Sequence, residues 1–125
     1  MSTQTKKTVR ATLEIDQQEL LDIASTAIEG GIGYWSFIEN YDFNNPNNLG
    51  TLSPTEDEDE FVPTILTTNI VLRGIKKILK GDVKISKDIR QRLLLGIVQN
   101  DMGEIDAEVA DCIVQVGMFN QITYG

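Results

Sequence analysis

The chain has 125 residues, 41% of them hydrophobic, with a net charge of −8, one cysteine and no histidine. This length and composition suit one domain with a hydrophobic core, and no apolar run approaches the roughly 18 residues of a membrane span. One cysteine excludes an internal disulfide, and the lack of histidine removes the commonest general base and zinc ligand. Because no secretory signal is visible at the N-terminus, we expect a soluble intracellular protein without a membrane partner.

The first predicted elements are a strand and a helix. Residues 8–15 alternate apolar and polar side chains, which is the period of a half-buried strand. Asp16 followed by Glu19 is a capping-box pattern that begins a helix. The apolar face of that helix comprises Leu20, Ile23, Ala24, Ala27 and Ile28. At the other end of the chain, residues 121–125 have the character of a short strand, which we expect to pair with the first.

Residues 29–35, Glu-Gly-Gly-Ile-Gly-Tyr-Trp, place three glycines beside the only tryptophan. The glycines could end the preceding helix, but we favour its continuation to Ile38 because the apolar spacing stays helical. The segment is not a dinucleotide fingerprint, since its glycines follow a helix and the third glycine is missing. Two interpretations stay open. The glycines admit a neighbouring helix while the aromatic rings fill the core, or Gly31 allows close approach of a planar ligand that stacks on Tyr34 or Trp35.

Residues 40–60 have a different composition from the rest of the chain. They contain five asparagines, two prolines and the acidic run 56–60. Such a segment cannot bury enough apolar surface to order itself. We therefore predict a mobile acidic, asparagine-rich loop at 40–60 within a single domain that spans residues 1–125.

Three more helices are predicted after residue 67. Thr68 can cap the first, which Gly81 stops; Ser86 can cap the second, and Asp106 the third. Their inward side chains are expected to be Ile70, Val71, Ile75, Ile78 and Leu79, then Ile89, Leu93, Ile97 and Val98, then Val109, Ala110, Ile113, Val114 and Gly117. The predicted fold is a mainly helical α+β domain with about four helices and a small antiparallel sheet joining the N- and C-terminal strands.

The cations concentrate on two of these helices. Eight of the eleven lie between Arg73 and Arg92, a stretch with only two carboxylates. Arg73 and Lys76 share one helix side with further lysines, and Arg90 lies beside Arg92 on the next helix. Two interpretations of these charges stay open. They form a solvated face, as is common, or an arginine pair binds a phosphate through bidentate contacts. Because an acidic body repels extended nucleic acid while a basic patch holds a small anion, we expect a small anionic ligand.

Paired carboxylates are the only side chains in the sequence that could support catalysis. The cluster after residue 100 suits a helix N-terminus, with Asp106 needed as a cap, and it lacks the spacing of a calcium loop. Cys112 beside Ile113 is interpreted as a packing residue. We therefore predict a protein that is not an enzyme and that needs no metal and no cofactor.

Two stretches resemble small proteins encoded by phages and prophages: residues 27–35 and residues 110–125. In that family the segments read A-L-E-G-G-(I/S)-(G/N)-Y-W and A-D-x-I-V-Q-x-A-L-F-G-x-I-x-Y-G. The chain departs at Gly117 and Asn120, where alanine and glycine are usual. The resemblance covers both ends of the chain, skips the middle, and implies a viral origin and a place in the cytoplasm of the infected bacterial host.

Small acidic phage proteins without catalytic residues are similar to inhibitors of host defence. One such class, the immune-signal sponges, comprises compact oligomers that sequester nucleotide messengers such as cyclic ADP-ribose isomers or cyclic dinucleotides. The resemblance implies a homo-oligomer that binds a small nucleotide ligand without cleaving it. The base would stack on Tyr34 and Trp35 beside Gly31, and the cations that neutralise its phosphates would be Arg73, Lys76, Arg90 and Arg92.

The alternative hypothesis is an acidic protein-binding inhibitor of a host defence nuclease, similar to an anti-CRISPR that mimics DNA. The acidic run 56–60 and the net charge of −8 are its basis. A phage structural or housekeeping role is a third hypothesis, for which the residues offer little support.

Overall fold

The computed structural model describes residue 7, residues 10–55 and residues 61–125. Its helices are α1 (Gln17–Thr26), α2 (Thr68–Lys80), α3 (Lys87–Val98) and α4 (Ala107–Phe119), and its strands are β1 (Ser36–Glu39), β2 (Gly50–Pro54) and β3 (Thr64–Leu66). One π-helical turn, Ala27–Gly31, extends α1, and a 3-10 turn, Met102–Glu104, precedes α4. The predicted α+β class, mainly helical with a small antiparallel sheet, is confirmed.

The sheet lies in the middle of the chain, so the predicted sheet of N- and C-terminal strands is wrong. Its strand order is β1-β2-β3, and Leu52 pairs with Ile38 on one side and with Thr64 on the other. Described residues 10–15 and residues 121–125 belong to no strand. The first two residues of the predicted N-terminal strand lie outside the described part. Alternation favours a strand only when another strand offers its backbone groups as partners, which no local pattern guarantees.

The predicted loop at 40–60 contains the central strand. Aspartate and asparagine side chains accept backbone N–H groups and fold residues 40–48 into successive turns. Leu49 and Leu52 then lie fully buried in the core. The prediction was made from the average composition of residues 40–60, which is polar in spite of these two leucines. The prediction of a segment without structure is therefore wrong for β2. Residues 56–60 lie outside the described part, and their mobility stays a prediction.

Side-chain caps begin all four described helices. The capping residues are Asp16, Thr67, Ser86 and Asp106. The predicted capping box between Asp16 and Glu19 is present, and Gly81 ends α2 in the left-handed conformation with φ 78°. Only the cap of α2 differs from the prediction, since Thr67 replaces Thr68. None of the described helices has the length and apolar character needed to cross a bilayer.

The first helix ends at the glycines, so its predicted continuation to Ile38 is wrong. The last turn widens, and the N–H of Ile32 donates to the carbonyl of Ala27 at 2.9 Å. Gly31 is buried against the start of α4, where a Cβ would lie 2.6 Å from the carbonyl oxygen of Ala107. The chain then turns, and β1 begins at Ser36. Packing against α4 therefore decides where the helix stops.

Helices α2 and α4 pack antiparallel at the centre of the core through two glycines. A Cβ on Gly74 would lie 2.1 Å from the carbonyl oxygen of Ile113, and a Cβ on Gly117 would lie 2.1 Å from that of Ile70. No side chain fits in these two places, so the backbones approach closely. This contact sets the position of α4, which carries the polar residues described below.

Helix α3 lies at the periphery and covers one side of this core. It contributes Ile89, Leu93 and Ile97 to the buried cluster. Val98 is exposed, so the prediction that it faces inward is wrong. It follows Leu94 by one turn and therefore lies on the outer side of the helix.

Candidate functional site

Trp35 is a core residue and offers no platform to a ligand. Its side chain is 2% exposed, and its ring stacks on Tyr124 with centroids 5.0 Å apart and planes 5° from parallel. Phe61 and Phe119 meet the same ring edge to face, at 5.8 and 5.7 Å. The indole Nε1 donates to Asp111 Oδ1 at 2.8 Å. The predicted stacking of a nucleotide base on Trp35 is therefore wrong, because the protein already covers the ring.

Asp111 is the centre of a buried polar network. Its carboxylate accepts the Trp35 indole at 2.8 Å, the Tyr34 hydroxyl at 2.6 Å and the Gln115 amide at 2.9 Å. Among the described residues, no lysine or arginine forms an ion pair with Asp111. Hydrogen bonds from three neutral donors thus replace water around this carboxylate.

Gln115 ties the end of the chain to the same network. Its Oε1 accepts the backbone N–H groups of Thr123 and Tyr124, both at 2.8 Å. Its Nε2 donates to the carbonyl of Tyr124 at 3.1 Å. One fully buried glutamine therefore supplies the hydrogen bonds that a neighbouring strand was predicted to supply. The tail segment is held by a side chain and needs no sheet.

Residues 29–35 and residues 110–125 meet at this network. Residues 29–35 contribute Tyr34 and Trp35. Residues 110–125 contribute Asp111, Gln115 and Tyr124. The polar groups of Tyr34, Trp35 and Gln115 all bond to the Asp111 carboxylate, and the ring of Trp35 is enclosed. The paired segments thus have a structural explanation, which is the joining of α1, α4 and the tail.

Tyr34 keeps an exposed ring beside a shallow cleft. Its side chain is 56% exposed while its hydroxyl is bound to Asp111. The cleft measures about 460 Å³ and is lined by Gly30, Gly31, Tyr34, Ala107, Glu108, Asp111 and Gly125. No described cation lines it, and two carboxylates do. A ligand phosphate is therefore disfavoured beside Tyr34 and Gly31, contrary to the prediction that these residues share a site with the basic helices.

The position of the Tyr34 hydroxyl predicts an alkaline loss of stability. Partial burial, and then the bond to the Asp111 carboxylate and its charge, raise the pKa of Tyr34 well above the usual value of about 10. The folded state favours the neutral phenol, so this contribution is complete below about pH 10 and falls as the pH rises further. Urea unfolding at pH values on either side of 10 should show a larger alkaline loss in the wild type than in Tyr34→Phe. Equal losses in the two proteins would contradict the assignment.

Arg90 is used inside the fold. Its Nε donates to the carbonyl of Ile78 at 3.0 Å, and its outer nitrogen donates to the carbonyl of Val83 at 3.4 Å. These bonds satisfy carbonyls at the C-terminal end of α2 and in the turn that follows. The predicted phosphate contact of Arg90 is therefore not supported by its geometry.

Arg92 is neutralised by acidic side chains. It is bound to Asp106 and also pairs with Asp88 at 3.4 Å and with Glu108 at 3.7 Å. Desolvation lowers the pKa of Arg92, but the hydrogen bond and charge of Asp106 outweigh it and the pKa is raised. Burial tends to raise the pKa of Asp106, but the N–H of Val109 and the guanidinium outweigh it and the pKa is lowered. Arg92 therefore braces α3 against the start of α4, which disagrees with its predicted role as a free phosphate ligand.

A basic groove runs along the solvent side of α2, and we call it the α2 groove. It measures about 410 Å³ and is lined by Asn69, Leu72, Arg73, Lys76, Lys77, Lys80 and Asp82. None of its four cations forms an ion pair with a carboxylate of the described residues. The structure thus brings the predicted residues Arg73 and Lys76 together. Lys77 and Lys80 were not among the predicted ligands, and Asn69, Leu72 and Asp82 were missed altogether. The helical spacing from Asn69 to Arg73 and Lys76 would have identified Asn69.

Arg73 is held in place within the α2 groove. Its Nε donates to the carbonyl of Gly117 near the end of α4, at 2.8 Å. The bond leaves the two terminal guanidinium nitrogens available and limits the positions they take. The Tyr34 cleft lies at the start of α4, where Gly31 contacts Ala107, so the two regions are different parts of the surface. The residues predicted as one site therefore separate into a core network, a helix brace and a basic groove.

In comparisons with known proteins, no family model, curated protein or solved structure matches the chain. Within residues 7, 10–55 and 61–125, no three His, Cys, Asp or Glu side chains are grouped to hold a metal ion. Burial, followed by the charges of Asp111 and Glu108, raises the pKa of Cys112 to about 11, which keeps the thiol protonated at neutral pH. The α2 groove is thus the best-supported candidate site.

Proposed function

We propose that this protein binds a small phosphate-bearing ligand in the α2 groove and sequesters it without cleaving it. The observation that carries the proposal is the group of four cations along one groove, none paired with a described carboxylate, in a chain of net charge −8. Unpaired cations repel one another at this spacing, and a bound phosphate relieves that repulsion. The acidic remainder of the protein disfavours a long nucleic acid and leaves a small anion as the fitting ligand.

The groove also offers groups suited to the rest of a nucleotide. Leu72 supplies an apolar surface, and the Asn69 amide can donate to or accept from the edge of a base. The volume of about 410 Å³ lies within the range typical of small-molecule sites. From Arg73 to Lys80 the helix rises about 10 Å, which spans more than one phosphate group. These features support a nucleotide over inorganic phosphate.

The resemblance to phage proteins suggests a context for such binding. In our proposal the ligand is a nucleotide immune signal of the host, of the cyclic ADP-ribose or cyclic dinucleotide type. The protein would act as an anti-defence sponge in the cytoplasm of the infected bacterium. This proposal differs from the hypothesis formed from the sequence in two ways. Lys77 and Lys80 replace Arg90 and Arg92 as phosphate ligands beside Arg73 and Lys76. Tyr34 and Trp35 no longer stack on the base.

Binding should depend on lysines of the groove. We expect isothermal titration calorimetry at low salt to detect binding of cyclic ADP-ribose or of a cyclic dinucleotide, with the ligand recovered unchanged by chromatography. The variant Lys76→Ala/Lys80→Ala should weaken binding by at least about 10-fold, because it removes two of four phosphate contacts. Both side chains are exposed, so the melting temperature should stay the same.

The matched control is Lys84→Ala/Lys87→Ala, which removes two exposed lysines outside the groove and the same net charge. It should bind as the wild type does. Equal weakening in both double variants would mean that only overall charge matters and would overturn the site. A panel of cyclic nucleotides that produces neither heat nor a shift in melting temperature would overturn the function.

The acidic inhibitor remains the second candidate. The net charge of −8 and the exposed carboxylates Asp101 and Glu108 favour it, while the acidic run 56–60 lies outside the described residues. It predicts a stable complex with a host defence nuclease that survives the Lys76→Ala/Lys80→Ala change. Replacing the five acidic residues 56–60 by their amides should abolish that complex.

A further inference from the structure

The α2 groove contains a carboxylate beside its four cations. Asp82 lies two residues beyond the end of α2 and lines the groove together with Lys77 and Lys80. Its backbone N–H donates to the carbonyl of Lys77 at 3.1 Å, which keeps it beside the last helical turn after the left-handed Gly81. Among the described residues, no lysine or arginine forms an ion pair with Asp82. The groove therefore holds an anion that the fold does not neutralise.

The helix gains nothing from a carboxylate at this position. The C-terminal end of a helix carries the negative end of its dipole, where cations stabilise and anions destabilise. Lys77 and Lys80 in the last turn of α2 follow this rule, and Asp82 directly after the turn breaks it. Residues that break a local rule without a structural gain are expected at functional sites. The ligand of the groove is thus the natural partner of this carboxylate.

The two ends of the α2 groove differ in chemistry. Asn69 and Leu72 lie in the first half of α2, and among the described residues that line the groove Leu72 alone is apolar. A nucleotide base therefore packs best at this end. From Asn69 to Lys80 the helix rises about 16 Å, so Asp82 lies at the opposite end. A ligand that fills the groove meets an apolar surface and an amide, then the cations from Arg73 onward, and then a carboxylate.

We propose, on the basis of the nucleotide-binding function proposed for the α2 groove, that Asp82 selects ligands whose phosphates are internal and rejects nucleotides that end in a phosphate. A terminal phosphate carries a charge of about −1.5 to −2, whereas a phosphate that bridges two sugars carries about −1. With the base beside Leu72 and the first phosphates on Arg73 and Lys76, the far end of the ligand lies near Asp82. A terminal phosphate there is repelled by the carboxylate. A sugar in the same place has hydroxyl groups that donate to it.

This selection suits a protein that sequesters a scarce signal. Nucleoside diphosphates and triphosphates end in a phosphate, and they are far more abundant in a cell than signalling nucleotides. A groove with cations alone would be filled by them. Specificity between such similar anions needs a repulsive element as well as attractive ones, and Asp82 supplies the repulsion.

A comparison of ADP with ligands that have only internal phosphates tests the role of Asp82. The three such ligands are cyclic ADP-ribose, a cyclic dinucleotide and ADP-ribose, which holds the pyrophosphate of ADP between two riboses. Isothermal titration calorimetry of the full chain is done at low salt with EDTA, so that no Mg²⁺ masks the terminal phosphate. The wild type should bind the tightest of the three at least about 10-fold more tightly than ADP. In Asp82→Asn this preference should fall to about 2-fold or less through tighter binding of ADP, because the amide keeps the size of the side chain and removes its charge.

Glu39→Gln is the matched control, because it removes an exposed carboxylate outside the groove. It should keep the preference of the wild type, and equal loss of preference in both variants would assign the effect to overall charge and overturn the role of Asp82. The melting temperature of Asp82→Asn should stay the same or rise. A wild type that binds ADP at least as tightly as the other ligands, or an unchanged preference in Asp82→Asn, would overturn the selection and leave the proposed function standing. The absence of heat with all four ligands would overturn both.

Discussion

Replacing Asp111 by alanine is expected to destabilise the protein by about 3 kcal/mol. The change leaves the indole N–H of Trp35 without its acceptor inside the core, where water cannot replace it. Tyr34 and Gln115 also lose their bonds to the carboxylate, although both keep a bond to the carbonyl of Tyr124. The loss is therefore concentrated on Trp35. Urea unfolding followed by the fluorescence of this single tryptophan measures it directly.

Two variants separate the network from a general effect of charge. Asp111→Asn keeps an oxygen for the Trp35 indole and presents an amide that can donate to the Tyr34 oxygen, so we expect a loss of only about 1 kcal/mol. Asp82→Ala removes an exposed carboxylate and should change stability by less than about 0.5 kcal/mol. If Asp111→Ala were as mild as Asp82→Ala, the network would not hold the two segments together.

Replacing Gly74 by alanine is expected to cost about 3 kcal/mol, although alanine is the better helix former. In an exposed helix the same change stabilises by up to about 1 kcal/mol. Here the added Cβ would lie 2.1 Å from the carbonyl oxygen of Ile113, and backbone cannot rotate away as a flexible side chain can. Helix α2 must therefore move off α4, which opens the central core contact. Thermal and urea unfolding should both show the loss.

Gly33 supplies the matched control. A Cβ at this position meets no atom within 4 Å, so Gly33→Ala should be neutral or slightly stabilising. Gly117→Ala should behave as Gly74→Ala does, because its Cβ would lie 2.1 Å from the carbonyl oxygen of Ile70. Alanine at either position would require a wider spacing of α2 and α4. A fully stable Gly74→Ala protein would mean that this close contact does not determine the core.

The helix caps show what could be predicted from neighbouring residues. Asp16, Ser86 and Asp106 act within three positions of themselves, so their role depends on local sequence alone. The same holds for the end of α2 at Gly81. The basic side of α2 also followed from spacing, because residues three and four apart share one side of any helix. Predictions of this kind needed no knowledge of the remainder of the fold.

Trp35 shows where such reasoning stopped. An aromatic residue after three glycines suits a core and a ligand platform equally well. Its partner Asp111 lies 76 positions away in the chain, and its stacking partner is Tyr124. The end of α1 depended in the same way on close contact with Ala107. Arg90 and Arg92 likewise looked like free cations until their partners were placed beside them.

The amino-acid sequence alone therefore determined the four helices except for the end of α1, most of their caps and the basic side of α2, because these depend on spacing within a few residues. The tertiary structure decided that the tryptophan is enclosed, that the sheet forms from residues 36–66, and that four cations unpaired by the described carboxylates gather in the α2 groove. Each of these outcomes depends on groups brought together from distant parts of the chain. Whether a side chain is free to bind a ligand depends on its neighbours in space, and a local sequence pattern does not reveal which residues those are.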